Sequence, residues 1–93
     1  MAKVTGNIRI TATPGSEGVR PYFEVVFVPY AGRLNTKPVR ITDRDDLVNL
    51  LMELKISEDD AARWAGKART QGVVLIPSIE RTEAQLKDNG LLA

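Results

Sequence analysis

The first third of the chain alternates between apolar and polar positions in a way that predicts paired β-strands. In segment 3–13 the small or apolar residues recur at every second position, at Val4, Gly6, Ile8, Ile10 and Ala12. A period of two is typical of a half-buried strand. Residues 22–28 are largely apolar on both faces, as in a central strand, and we expect them to pair antiparallel with 3–13. Residues 38–41 predict a short third strand in which Arg40 points outward.

The middle of the chain changes to a helical period. Leucines occur at positions 47, 50, 51 and 54, which is the spacing of one face of an α-helix. We expect this helix to begin at Thr42, which forms an acidic variant of the capping box with Asp45. Val48 and Met52 widen the apolar arc to roughly 200° at about 100° per residue. The helix therefore needs a second packing partner, either another helix or a dimer contact.

A second helix and a further strand are predicted next. Ser57 is expected to start the helix, with Asp60 at its third position, and alanines surround the single tryptophan, Trp64. Gly72 stands where a left-handed residue is expected to end the helix. The uninterrupted apolar run 73–76, which is followed by Pro77, predicts a buried strand.

Short-range signals also define the C-terminal part. Thr82 and Gln85 form a capping box that predicts a last short helix. If Gly90 ends this helix, Leu86 and Leu91 take the two positions that make the hydrophobic contact of a Schellman motif. The element order is therefore β-β-β-α-α-β-α. We predict a single α+β domain over residues 1–93, with a small, mostly antiparallel sheet and helices packed on one face.

Composition limits the chemistry of the chain. Cysteine and histidine are both absent, which excludes disulfides, thiolate metal sites and histidine-dependent catalysis. Asp43, Asp45 and Asp46 could suggest a divalent-metal loop, but the glycine and glutamate of an EF-hand loop are missing. We interpret these carboxylates as helix-start residues, and we expect no enzymatic activity, no cofactor and no metal.

Hydropathy also bears on where the protein acts. Apolar content of 43% is ordinary for a globular chain, and no apolar run approaches the roughly 18–20 residues that span a bilayer. The first residues lack the apolar region of a signal peptide. We therefore expect a cytoplasmic protein without membrane contact.

The two central helices suggest DNA recognition at first sight. Two helices joined at residues 55–57 and followed by a strand resemble the last two helices and the first wing strand of winged-helix DNA-binding domains. The resemblance implies a recognition helix that enters the DNA groove with its N-terminal end. Glu58, Asp59 and Asp60 stand at that end, and their carboxylates would face DNA phosphates. We interpret the pair as a plain helical hairpin.

Basic residues concentrate in the first half of the chain. Residues 1–41 carry six basic and two acidic side chains, whereas residues 42–93 carry seven and ten. A sheet face that mixes basic and aromatic groups can stack bases and hold phosphates. The candidate surface for an anionic ligand or nucleic acid consists of Lys3, Arg9, Tyr22, Tyr30, Arg33, Lys37 and Arg40. An ordinary solvated sheet face explains the same pattern.

Association with another protein is the function that we predict. The strand at 73–76 and the N-terminal strand could each lie at a sheet edge and accept a further strand. Val48, Met52 and Trp64 form a candidate association face. We predict a small non-catalytic binding or interaction module whose partner is an unknown protein or a second copy of the chain. Nucleic-acid binding by the basic sheet face and loops is the alternative.

Overall fold

The protein has the α+β fold that the sequence predicts. A computed structural model describes residues 3–93. Met1 and Ala2, with which the signal-peptide prediction began, lie outside the described residues. The elements are β1 (Lys3–Thr13), β2 (Tyr22–Pro29), β3 (Val39–Ile41), α1 (Arg44–Glu53), α2 (Glu58–Gln71), β4 (Val73–Thr82) and α3 (Glu83–Asp88). Their order is β-β-β-α-α-β-α, as predicted.

The four strands form one antiparallel sheet in the order β3-β2-β1-β4. β1 and β2 pair as the predicted hairpin, with Ile8 opposite Phe27. The suggestion that the N-terminal strand could lie at an edge is wrong, because β1 lies between β2 and β4. The edges are instead the three-residue β3 and the ten-residue β4.

One face of the sheet packs against the helices and forms the core. The strands β1 and β2 contribute Ile8, Ile10, Phe23, Val25 and Phe27. The helices and their ends contribute Leu47, Leu50, Leu51, Leu54, Ala61, Ala65, Ala68, Leu86 and Leu91. The apolar residues that recur every three or four positions in the helices, and at every second position in the strands, are therefore buried as their patterns predicted. The opposite face of the sheet, which we call the open sheet face, has no helix on it within residues 3–93.

The helix ends follow local side-chain signals, with one correction. Asp43, and not Thr42, caps α1, because its carboxylate accepts a hydrogen bond from the Asp45 backbone N–H at 3.2 Å. Ser57 caps α2 as predicted and accepts from the Asp60 N–H at 3.3 Å. An N-cap aspartate also places its negative charge at the positive end of the helix dipole, which threonine cannot do.

The C-terminal helix is confirmed in detail. Thr82 and Gln85 form both hydrogen bonds of the capping box. At the other end the Leu91 N–H donates to the Leu86 carbonyl at 2.9 Å, and the Gly90 N–H donates to the Lys87 carbonyl at 3.0 Å. These two bonds define a Schellman motif, and Leu86 and Leu91 are fully buried.

The prediction for residues 73–76 is wrong in two respects. The strand does not end at Pro77 but continues to Thr82, through a register irregularity opposite β1 where Ser78 has a φ of 60°. The segment is also not buried on both faces, because Val73 and Leu75 lie on the open sheet face while Val74 and Ile76 lie on the core face. In addition, β4 is an edge strand. Proline is tolerated in an edge strand where its nitrogen faces solvent.

Candidate protein-interaction site

The free edge of β4 exposes main-chain hydrogen-bonding groups. The Ala12 N–H donates to the Gly72 carbonyl at 2.7 Å. This bond shows which residues of β4 are hydrogen-bonded to β1 and which are not. Residues that bond to the neighbouring strand alternate in an antiparallel pair, so Val74 and Ile76 direct their N–H and C=O groups toward β1. Those of Val73 and Leu75 point away from the sheet, where no strand of residues 3–93 lies beside them.

The same two residues expose their side chains. Val73 is 49% exposed and Leu75 is 52% exposed, whereas Val74 and Ile76 are buried. The next outward position is Pro77, which has no N–H to donate. The part of the edge that can pair fully is therefore short, and we call residues 73–76 the edge segment.

A groove of about 330 Å³ runs beside the edge segment and the C-terminal half of α2, and we call it the edge groove. It is lined by Arg9, Trp64, Lys67, Gln71, Val73, Val74 and Leu75. The three α2 residues lie on one side of that helix because they are spaced by three and four positions. Trp64 is half-buried, and the Lys67 Nζ lies 5.2 Å from the centroid of its ring.

The three residues of the predicted association face, Val48, Met52 and Trp64, do not all lie in the edge groove. Trp64 lies in the edge groove, but neither Val48 nor Met52 lines it. Val48 is half-buried and packs against the core, and Met52 is 41% exposed on α1. The sequence reasoning missed Val73 and Leu75 as surface residues. The available signal was Pro77, which favours an edge strand over a central one.

The open sheet face holds part of the predicted basic surface. Lys3, Arg9, Tyr22 and Arg40 are at outward positions of their strands. Arg9 lies in register between Val26 and Leu75. The guanidinium carbon of Arg40 lies 4.3 Å from the centroid of the Tyr22 ring, in cation–π geometry.

Tyr30 has a structural role that the sequence did not indicate. Its hydroxyl donates to the Asn7 Oδ1 at 2.7 Å and accepts from the Ser78 N–H at 2.9 Å. It therefore connects β1 to the irregular part of β4. Arg33 and Lys37 lie in the loop between β2 and β3, both exposed, and the Lys37 N–H donates to the Leu91 carbonyl at 3.1 Å.

Arg81 is the one charged side chain that is buried among residues 3–93. Its Nη2 donates to the Asn89 Oδ1 at 3.0 Å, and the Asn89 Nδ2 donates to the Glu53 Oε2 at 3.5 Å. The Arg81 Nε has no hydrogen-bond partner in the described part of the chain. The arginine thus connects β4 to the ends of α1 and α3 through one asparagine.

Nothing in the geometry assembles a metal site from the described residues. Across residues 3–93 no group of three or more histidine, cysteine, aspartate or glutamate side chains could hold an ion. No helix in the same range is long and apolar enough to cross a membrane. The absence of enzymatic activity stays a prediction.

Comparison of the chain with protein-family models, with curated proteins and with solved structures found no match. The edge groove and the open sheet face therefore have to be interpreted from their own geometry and chemistry.

Proposed function

We propose that the chain is a small non-catalytic module of the cytoplasm that binds a protein partner by adding a strand of that partner to β4. The observation that carries the proposal is that Val73 and Leu75 expose both their main-chain groups and their side chains at a sheet edge. Unpaired edge amides and carbonyls form a template for a further strand. In such complexes the main-chain bonds supply affinity, and pockets for alternate side chains supply specificity.

Because the edge segment is short, its main-chain hydrogen bonds supply only part of the binding free energy, and the edge groove has to supply the rest. Each main-chain hydrogen bond contributes about 0.5–1.5 kcal/mol net, and Val73 and Leu75 together offer four such bonds. Association costs at least roughly 4 kcal/mol of translational and rotational freedom. The main-chain bonds alone thus leave little affinity, so the side chains of the edge groove have to supply most of it.

Selection from a random peptide library displayed on phage tests the proposal. The wild-type protein should enrich peptides that bind in an extended conformation. Leu75→Pro should abolish their binding, because it removes an outward N–H and leaves every bond between β1 and β4 in place. The control is Leu75→Thr, which keeps the N–H and should retain part of the binding. Circular dichroism verifies that both variants are folded.

Two outcomes would contradict the proposal. One is a failure to enrich any peptide with the folded wild-type protein. The other is a set of enriched peptides that bind Leu75→Pro as tightly as the wild-type protein, since such peptides would occupy a different surface.

A second copy of the chain also fits this edge, which is the homodimer that the sequence suggested. In an antiparallel pairing centred on Val74, Val73 of one copy faces Leu75 of the other, and four main-chain bonds form around a two-fold axis. Light scattering over a range of protein concentrations measures this association. A dimer should appear with the wild-type protein and be lost with Leu75→Pro, and a monomer at every concentration would rule it out.

Nucleic-acid binding by the open sheet face is the second candidate function. The observation that favours it is that Arg9, Arg40 and Tyr22 share the open sheet face, which no helix of residues 3–93 covers. Glu24 lies directly opposite Arg40 in register and lowers the net charge of this surface. Single-stranded RNA and DNA should bind at low salt and be released as salt rises. The absence of any gel shift at low salt would end this candidate.

A further inference from the structure

We infer, on the basis of the proposed function, that the partner strand is an extended acidic segment in which carboxylate and apolar side chains occur together on both faces. The edge groove carries two cationic side chains, Arg9 and Lys67, and its lining contains no carboxylate. Within residues 3–93 the ion pair that forms joins Arg63 to Asp60. Neither groove cation therefore has a carboxylate within ion-pair distance in the described structure.

The two cations lie on opposite sides of the strand position. A strand added to β4 would direct alternate side chains toward the open sheet face and toward α2. On the first side it would meet Val73, Leu75 and the Arg9 guanidinium. On the second side it would meet the Trp64 ring and the Lys67 ammonium group. Each face of the added strand thus meets one apolar surface and one cation.

Distances in a sheet allow Arg9 to reach such a partner. β1 and an added strand would be two strand spacings apart, about 9.6 Å. Arg9 lies opposite Leu75 of β4 and already lines the edge groove. A glutamate or aspartate on the added strand closes the remaining distance. The expected recognition element is therefore about four consecutive residues that place one apolar and one acidic side chain on each face.

An acidic peptide fits the edge groove better than the two other possible occupants, which are a second copy of the chain and a single-stranded nucleic acid. A second copy of the chain would bring its own Arg9 and Lys67 to the interface, and its edge segment, Val73–Ile76, contains no acidic residue. A single-stranded nucleic acid has the negative charge, but it would leave the outward main-chain groups of Val73 and Leu75 without the regular partners that a strand offers. An acidic extended peptide satisfies the main-chain groups, the apolar surface and both cations.

Fluorescence titration of Trp64 tests the inference, because this tryptophan is the single one in the chain and lines the groove. The probes are three capped eight-residue peptides of valine and threonine that carry glutamate, glutamine or lysine at the same two adjacent central positions, one on each face, with a valine on either side. We expect the glutamate peptide to bind about tenfold more tightly than the glutamine peptide, roughly threefold for each ion pair. Its affinity should fall as salt rises, and that of the glutamine peptide should not.

Charge-neutralising variants assign the preference to the two cations. Arg9→Gln and Lys67→Gln should each weaken the glutamate peptide about threefold and leave the glutamine peptide unchanged. Lys87→Gln is the matched control, because Lys87 is exposed on α3 and lies outside the edge groove. It should change neither affinity.

The outcomes distinguish this inference from the proposed function. Equal affinity for the glutamate and glutamine peptides, or tighter binding of the lysine peptide, overturns the acidic partner while strand addition stands. Binding of the glutamate peptide that Leu75→Pro does not weaken overturns strand addition and the inference together. If oligothymidylate binds more tightly than the glutamate peptide, or if a stable dimer excludes all three peptides, the groove has another occupant and the inference is wrong.

Discussion

Two glycines provide opposite tests of the packing. Gly6 lies on the buried face of β1, and a Cβ added there would overlap the Val28 carbonyl oxygen and come within 2.8 Å of both Phe27 Cζ and Pro29 Cα. Two of these three atoms belong to the β2 backbone, which the pairing with β1 holds in place. The overlap that Gly6→Ala creates therefore cannot be relieved by a rotamer change alone.

The expected cost of Gly6→Ala is at the upper end of the range for overpacked sites. Overpacking costs about 1–3 kcal/mol, and we expect about 3 kcal/mol because backbone has to move. Each kcal/mol shifts the Tm of a domain of this size by about 4–8 °C, so the Tm should fall by more than about 10 °C. Urea denaturation followed by circular dichroism measures the change in free energy, and thermal melting measures the Tm.

Gly66→Ala is the matched control. Gly66 lies in the interior of α2 with no atom within 4 Å of an added Cβ and no positive φ. Alanine should raise the free energy of unfolding by about 0.8–1 kcal/mol, because glycine is the poorer helix former. A Gly6→Ala variant as stable as the wild-type protein would refute the close approach of β1 and β2. A destabilising Gly66→Ala would show that this surface of α2 is occupied.

Three further predictions concern single contacts. Asp43→Ala should cost about 1 kcal/mol of stability and Thr42→Ala almost nothing; the reverse order in urea denaturation would restore Thr42 as the cap. Tyr30→Phe should cost about 0.5–1 kcal/mol, since two hydrogen bonds are lost at a partly hydrated site, and an unchanged urea midpoint would contradict this role. Arg81→Met should be neutral or stabilising by about 1 kcal/mol, whereas a clear loss of stability would show that the buried guanidinium is needed.

The elements that the sequence predicted well depend on neighbours within a few positions. The capping box of Thr82 and Gln85 and the Schellman contact of Leu86 and Leu91 involve residues three to five apart. Their hydrogen bonds can form before any tertiary contact exists. The misplaced cap of α1 shows the limit of such signals, because Thr42 and Asp43 are both good cap residues and adjacent in the sequence.

The suggestion that the strand at 73–76 could lie at a sheet edge is confirmed, but the exposure of its side chains depends on long-range pairing and was not predicted. The run 73–76 is apolar at every position, so the period of two is hidden and the strand looks buried. Which side chains are exposed is decided by the register with β1, more than 60 positions earlier. Trp64 lines the edge groove, and its role in association stays a prediction. Its neighbours in the groove, Val73 and Leu75, follow only from the strand order and register.

The central place of β1 also affects how the chain folds. Lys3 pairs with Thr82 and Thr11 pairs with Val73, so the second side of β1 is closed by a strand more than 60 positions later in the chain. Pairing residues that are more than 60 positions apart costs loop-closure entropy, which slows the formation of native contacts. Until residues 73–82 emerge, a nascent chain presents the hairpin of β1 and β2 with an unpaired inner edge. We therefore expect refolding to be slower than that of a helical bundle of equal length, and nascent chains that stop before β4 to depend on chaperones.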